Sequence, residues 1–344
     1  MLMMNGKAKR SVSLFLVLLL IVSTVPALAS QPAATFEEAL FALKTPAQLG
    51  AESGEYAIHT GDSAYLPSLD REIIPFDMVI DIAYAPLSGE VESSDESVVT
   101  VADDGKMTAH AQGMATVTYH KSGGDEVYEI TVSDDVPTEL AKNYIYVLRN
   151  EFYTVQRSRL PKWNKYAKWY YNKKNEVGWC SVFTIYCANA AGANPIKQKT
   201  MDLDNIPATQ FFAEGQVGSQ YDGFMKMGRF SNVPKPGFLV IYADMKKAYR
   251  TTHIGSVVDV ADMGDGLYAV TTIEGNMSSS VKSYCYLYDS NNQNYLVGSE
   301  GADKKLKLQN NMQELPKEDQ VDPLVQYELH TDYWSVFGFC ETWK

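Results

Sequence analysis

Cysteine is scarce here, with four in 344 residues, too few for a fold stapled by disulfides. Histidine is nearly as rare at five. His59, His110 and His120 are scattered without cysteine partners, so no zinc-ligand spacing forms, and neither a catalytic metal nor a cofactor is expected. Positive charge is in deficit: 30 Lys and Arg stand against 42 Asp and Glu, for a formal net charge of −12. Such a chain lacks the basic surface that nucleic acid recruits, and any hold on an anionic cell wall must come from local features. Beyond the N-terminal run no long apolar stretch occurs, so no membrane span is expected once that run is removed.

What is present begins with a leader. Lys7, Lys9 and Arg10 precede an apolar run from Ser13 to Val25, which ends in Ala27-Leu28-Ala29 before Ser30. A positive n-region, a short apolar core and a small-x-small site make a secretory signal peptide, with cleavage expected after Ala29. The run falls short of the ~20 residues a membrane anchor needs, and no cysteine follows to accept a lipid. The leader holds three positive and no negative side chains, which takes the remainder from −12 to −15. Residues 1–29 are therefore expected to be removed, leaving a secreted or cell-wall-associated protein long enough for two domains. Residues 30–54 read as a short helix, Phe36 to Ala47, and a linker.

From about Tyr56 the rhythm alternates. Met78 to Tyr84, Ser97 to Val101, Ala115 to Tyr119 and Glu126 to Val132 are short runs separated by Asp103-Asp104-Gly105-Lys106, Gln112-Gly113 and Ser122-Gly123-Gly124-Asp125. Strands at this spacing predict an all-β sandwich over residues 55–135. Ser93-Ser94-Asp95-Glu96-Ser97-Val98-Val99-Thr100-Val101, Asp104-Gly105-Lys106-Met107-Thr108-Ala109 and Gln112-Gly113-Met114-Ala115-Thr116-Val117 resemble the bacterial Ig-like group 2 domain. That resemblance implies a surface spacer or adhesion element in contact with cell-wall or surface components.

Asp135-Val136-Pro137 reads as a hinge into a second domain, residues 136–344. A helix is expected from Thr138-Glu139-Leu140, broken by Pro161. Trp163, Tyr166, Trp169 and Tyr170 could stack on sugars, but packing between two helices is the favoured reading. The chemical signal lies in Gly178-Trp179-Cys180-Ser181-Val182-Phe183, which opens a buried helix ending near Gly192. Cys180 falls in its first turn, where unpaired N–H groups and the helix dipole lower a thiol pKa. Downstream, Phe238 to Tyr242 and His253 to Val260 read as strands, and Leu267 to Ile273 returns through a Met263–Gly266 turn. In that register His253 faces Asn276 directly and Glu274 diagonally, so all three project to one side.

Trp179-Cys180, Tyr186-Cys187-Ala188-Asn189, Pro236-Gly237, His253-Ile254-Gly255 and Thr272-Ile273-Glu274-Gly275-Asn276, in this order, resemble the CHAP family of cysteine, histidine-dependent amidohydrolases/peptidases. Asn164-Lys165-Tyr166-Ala167-Lys168-Trp169-Tyr170 matches the family's approach to the cysteine. The resemblance implies an α+β papain-like fold with helices packed on an antiparallel sheet. It implies that Cys180 is the nucleophile, His253 the base, and Glu274 and Asn276 its supports, acting on an amide bond in peptidoglycan or its peptide stems. Phe238 stands where the family usually has an acidic residue, and residues 289–325 form a polar insertion. His330 is outside the motif and reads as a surface residue. Cys180 and Cys187, about 10.5 Å apart along one helix, are too distant to bridge; Cys285–Cys340 is the one bridge open, against two separate thiols. The rival to an enzyme is an inactive surface adhesion or scaffold protein that binds through its Ig-like domain.

Overall fold

The computed structural model describes residues 55–66, 71–76, 79–84, 87–155, 158–171, 173–174, 177–193, 211, 214–247, 251–297, 305–330 and 333–344. The expected leader and the helix at 36–47 lie outside them.

The N-terminal part is built from β1 (Glu55–Ile58), β2 (Ser63–Tyr65), β3 (Arg71–Phe76), β4 (Val79–Tyr84), β5 (Glu90–Ser93), β6 (Val99–Val101), β7 (Lys106–Ala109), β8 (Gly113–His120) and β9 (Glu126–Val132). They form a β1-β9-β8-β5 sheet, a β2-β7-β6 sheet and a β3–β4 hairpin. Period-two patterning does the folding: Ala115, Val117 and Tyr119 of β8 and Tyr128, Ile130 and Val132 of β9 turn inward. They pack on Ile58, Val99 and Met107, each fully shielded from water.

The expected hinge is a clasp instead. His59 Nδ1 hydrogen-bonds the Val136 carbonyl at 2.8 Å, and Asp62 accepts the Glu139 N–H at 2.7 Å, capping the helix α1 (Glu139–Val155) across the junction. Lys142, also on that helix, donates to the Ala57 carbonyl at 2.8 Å. A carboxylate at a helix N-terminus satisfies an orphan donor and the dipole together, so Pro137 turns the chain without loosening it.

The C-terminal part is dominated by one sheet. After α1 come α2 (Lys165–Tyr170), α3 (Cys180–Ala190) and α4 (Val217–Lys226), followed by β10 (Phe230–Ser231), β11 (Leu239–Asp244), β12 (Thr251–Gly264), β13 (Leu267–Met277) and β14 (Ser280–Asp289). Then come β15 (Tyr295–Val297), β16 (Lys305–Lys307), β17 (Met312–Glu314) and β18 (Trp334–Cys340). The sheet order is β10-β18-β11-β12-β13-β14-β17, antiparallel throughout, with β15–β16 a separate hairpin. Ile241, Ile254 and Ile273 face the helices and meet Tyr144, Leu148 and Phe183; Val240, Tyr242, Val257 and Tyr286 form a second core on the opposite face.

In the aromatic run before Cys180, Tyr166 is a packing residue, while Trp163, Trp169 and Tyr170 are half-buried. Tyr166 is fully buried, stacks on Trp179 with centroids 5.3 Å apart, and donates to Glu151 at 2.6 Å. The Cys285–Cys340 bridge does not form: all four thiols are free. Three strands separate β14 from β18, a gap of roughly 19 Å at ~4.8 Å per strand.

Candidate active site

Two glycines let the site close. A Cβ on Gly275 would stand 2.5 Å from the Phe183 Cβ, so only glycine lets β13 approach α3 this closely. A Cβ on Gly255 would stand 2.7 Å from Cγ of Glu274, so the carboxylate occupies space that any other residue at 255 would fill.

The turn between β12 and β13 is tighter than the sequence suggests: the strands run to Gly264 and from Leu267, leaving Asp265-Gly266 as the turn. Register irregularities between Asp262 and Gly264 and between Val257 and Asp259 absorb the difference. At the site end the pairing is Ser256 with Ile273, which is the register expected from the longer loop. His253 pairs with Tyr242 of β11, beside a further register shift that leaves an extra residue on β12. Bulges of this kind re-aim a side chain at a strand end.

Cys180 opens α3 with Trp179 at the N-cap, and is the one cysteine of the four that is not fully buried as a residue. It hydrogen-bonds His253 and the backbone N–H groups of Ser181 and Ile254. Burial alone would raise its pKa, but these contacts prevail and hold the thiol below its ordinary value. Cys187, Cys285 and Cys340 are all pushed up, chiefly by burial, which marks them as inert thiols.

His253 is 5 % exposed and offers its other nitrogen, Nε2, to Glu274 Oε2 at 2.9 Å. Burial disfavours the imidazolium, yet the Cys180 and Glu274 contacts outweigh it and push His253 up to about 10. Glu274 is fully buried, which opposes its charge, but His330 and His253 beside it keep its carboxyl well below the usual carboxylate range. Tyr242 Oη and Thr272 Oγ1 each donate to Oε1 at 2.7 Å. Together these directions describe a thiolate–imidazolium pair backed by a buried carboxylate, the arrangement that makes sulfur nucleophilic at neutral pH.

The regular β12–β13 ladder that would set Asn276 opposite His253 stops short of it, at Ser256 and Ile273. The β13–β14 register breaks between Glu274 and Met277, and Asn276 takes a left-handed backbone with φ 65°. Its amide nitrogen would lie 3.4 Å from a Cβ on Gly178, just ahead of the cysteine. The structure thus joins Cys180, His253 and Glu274 and sets Asn276 against the approach to α3.

His330 is the residue that the sequence reading misplaced. Far from the surface, its side chain is 1 % exposed, and Nε2 lies 3.0 and 2.9 Å from the two oxygens of Glu274. Tyr242 and Trp334 stack on His253, and Tyr284 and Trp334 stack on His330, so both rings sit in one aromatic box. The only sequence signal was a histidine shortly before a terminal strand rich in aromatics.

Among the described residues, no group of three or more His, Cys, Asp and Glu side chains is arranged to hold a metal ion. No helix among them is long and apolar enough to cross a membrane. Residues 82–132 match the bacterial Ig-like domain (group 2) family. No curated protein matches the chain.

Proposed function

We propose that this chain is a secreted cysteine amidohydrolase or peptidase that hydrolyses an amide bond in peptidoglycan, acting as an N-acetylmuramoyl-L-alanine amidase or an endopeptidase. The observation that carries the reading is the line of Cys180, His253 and Glu274 at the start of α3. The motif order resembles the CHAP family, with helices on one face of an antiparallel sheet in keeping with a papain-like domain, and it supplies the substrate class.

In this reading the Cys180 thiolate attacks the amide carbonyl, and the His253 imidazolium gives its proton to the departing amine. The resulting thioester is attacked by water, whose proton passes to His253, and the thiolate leaves. The Cys180 N–H, in the first turn and so without an intrahelical acceptor, is the candidate donor to the oxyanion. Glu274 holds the imidazole in line and stabilises its charge.

Mass spectrometry of muropeptides from purified walls tests this, because it reports both cleavage and the bond cut. New amine termini released by the wild type and not by Cys180→Ala support the proposal. Walls bound equally by both proteins, with no product from a folded wild type, would favour the surface adhesion reading that the Ig-like match also suits.

A further inference from the structure

Glu274 is gripped from a direction that neither Cys180 nor β13 supplies. Between β14 and β18 the chain passes through the separate β15–β16 hairpin, rejoins the sheet beside β14 as β17, turns at the 3₁₀ segment Lys317–Asp319, and returns as a strap. Gln326 pins that strap to the edge of β14: its carbonyl accepts the Cys285 N–H at 3.0 Å, and its N–H donates to the Ser283 carbonyl at 2.9 Å. Four residues on, His330 turns inward, its ring centroid 4.0 Å from that of Tyr284. Nε2 reaches both carboxylate oxygens, while Nδ1 is buried without a hydrogen-bond partner.

We propose that His330 is a positioning residue of this site: delivered by the strap, it fixes the plane and charge of Glu274 so that the carboxylate can hold His253 against Cys180. Tyr242 and Thr272 secure only Oε1. Oε2, the atom that receives His253, has His330 as its other donor. A donor shared between the two oxygens locks the carboxylate plane, which donors to Oε1 alone leave free to rotate. The orphan Nδ1 places the ring proton on Nε2, because a proton on Nδ1 would be a buried donor with no acceptor. With its proton on Nε2 the ring orients the carboxylate as a hydrogen-bond donor. The titratable groups facing the ring are Glu274 on β13, Tyr242 on β11, and Tyr284 and Tyr286 on β14. The polar excursion after β14 is thus part of the active site.

The proposal rests on the reading of Cys180 and His253 as nucleophile and base, and is independent of which amide is cut. The test is the rate of Cys180 alkylation by iodoacetamide across pH, located by peptide mass, in wild type, His330→Leu, His330→Ala and His330→Gln. Folding is checked by thermal melting. The donor-free variants should show a profile displaced by about one unit to higher pH, up to about tenfold slower on its rising limb, and His330→Gln should recover most of that shift. Folded donor-free variants with the wild-type profile would overturn the role of His330. A wild-type Cys180 no faster than free cysteine would overturn the nucleophile reading itself, and the role of His330 with it. Should neither donor-free variant fold, imidazole nitrogen NMR of the wild type decides: a proton on Nε2 of His330 supports the proposal and one on Nδ1 overturns it.

Discussion

Glu274→Gln is the sharpest perturbation of this site, because it keeps the shape and removes the charge. The carboxylate and imidazole meet at 2.9 Å in a fully buried setting. At an effective dielectric of ~20, unit charges ~4 Å apart interact by about 4 kcal/mol, equivalent to about 3 pKa units. His253 stands at about 10 against an ordinary ~6.5, and Cys180 supplies part of that rise. The share to be lost with Glu274 is therefore about two units. His253 is raised, so in the wild type the imidazolium survives until pH passes about 10, and the Cys180 thiolate forms below the ordinary thiol range. Without Glu274 the imidazolium is lost about two units lower, and burial drives the thiol back up. Alkylation of Cys180 at pH 7 should fall by roughly ten- to a hundredfold, with the profile moved to higher pH. Iodoacetamide rates from pH 5 to 11 measure this directly, because the other three cysteines are buried. A folded Glu274→Gln protein with the wild-type profile would refute the electrostatic role of the carboxylate.

Three further outcomes are expected. Cys180→Ser should abolish wall hydrolysis with the melting temperature nearly unchanged, whereas Cys187→Ser, at a fully buried position far along α3, should lower stability more than turnover; equal loss of activity in two folded variants would mean the nucleophile is misassigned. Titration of the denatured, non-reduced protein with a thiol reagent should count four thiols, and a count of two would reinstate a bridge. Gly255→Ala drives a methyl to 2.7 Å from Glu274 Cγ, so it should cost about 1–3 kcal/mol by denaturant unfolding and slow Cys180 alkylation together. A variant as stable and reactive as wild type would contradict the close packing.

The local signals carried the sequence reading a long way. Alternation in β8 and β9, the helical spacing of Phe183, Tyr186, Cys187 and Ala190, and a cysteine in the first turn of α3 are short-range features, and the structure has them where periodicity puts them. The β12–β13 register was also accessible, although for an incomplete reason. The real turn is Asp265-Gly266, and two irregularities along the ladder bring the strands to the same pairing at Ser256 and Ile273. Asn276 marks the limit of such counting. Period-two reasoning holds only while the ladder is regular, and the backbone turns left-handed at that residue.

His330 was out of reach for a different cause. Its partner Glu274 is 56 residues earlier in the chain, and no spacing rule links a histidine in a polar excursion to a carboxylate on a central strand. What brings them together is the pinning of Gln326 along the β14 edge, a backbone contact to which side-chain identity contributes little. A free edge on β14 would expose unpaired N–H and C=O groups, so covering it stabilises the sheet regardless of chemistry. The same strap carries an imidazole into the one buried carboxylate that the Cys180–His253 pair depends on. Edge protection and site assembly are therefore one structural event, and loosening the strap should weaken both.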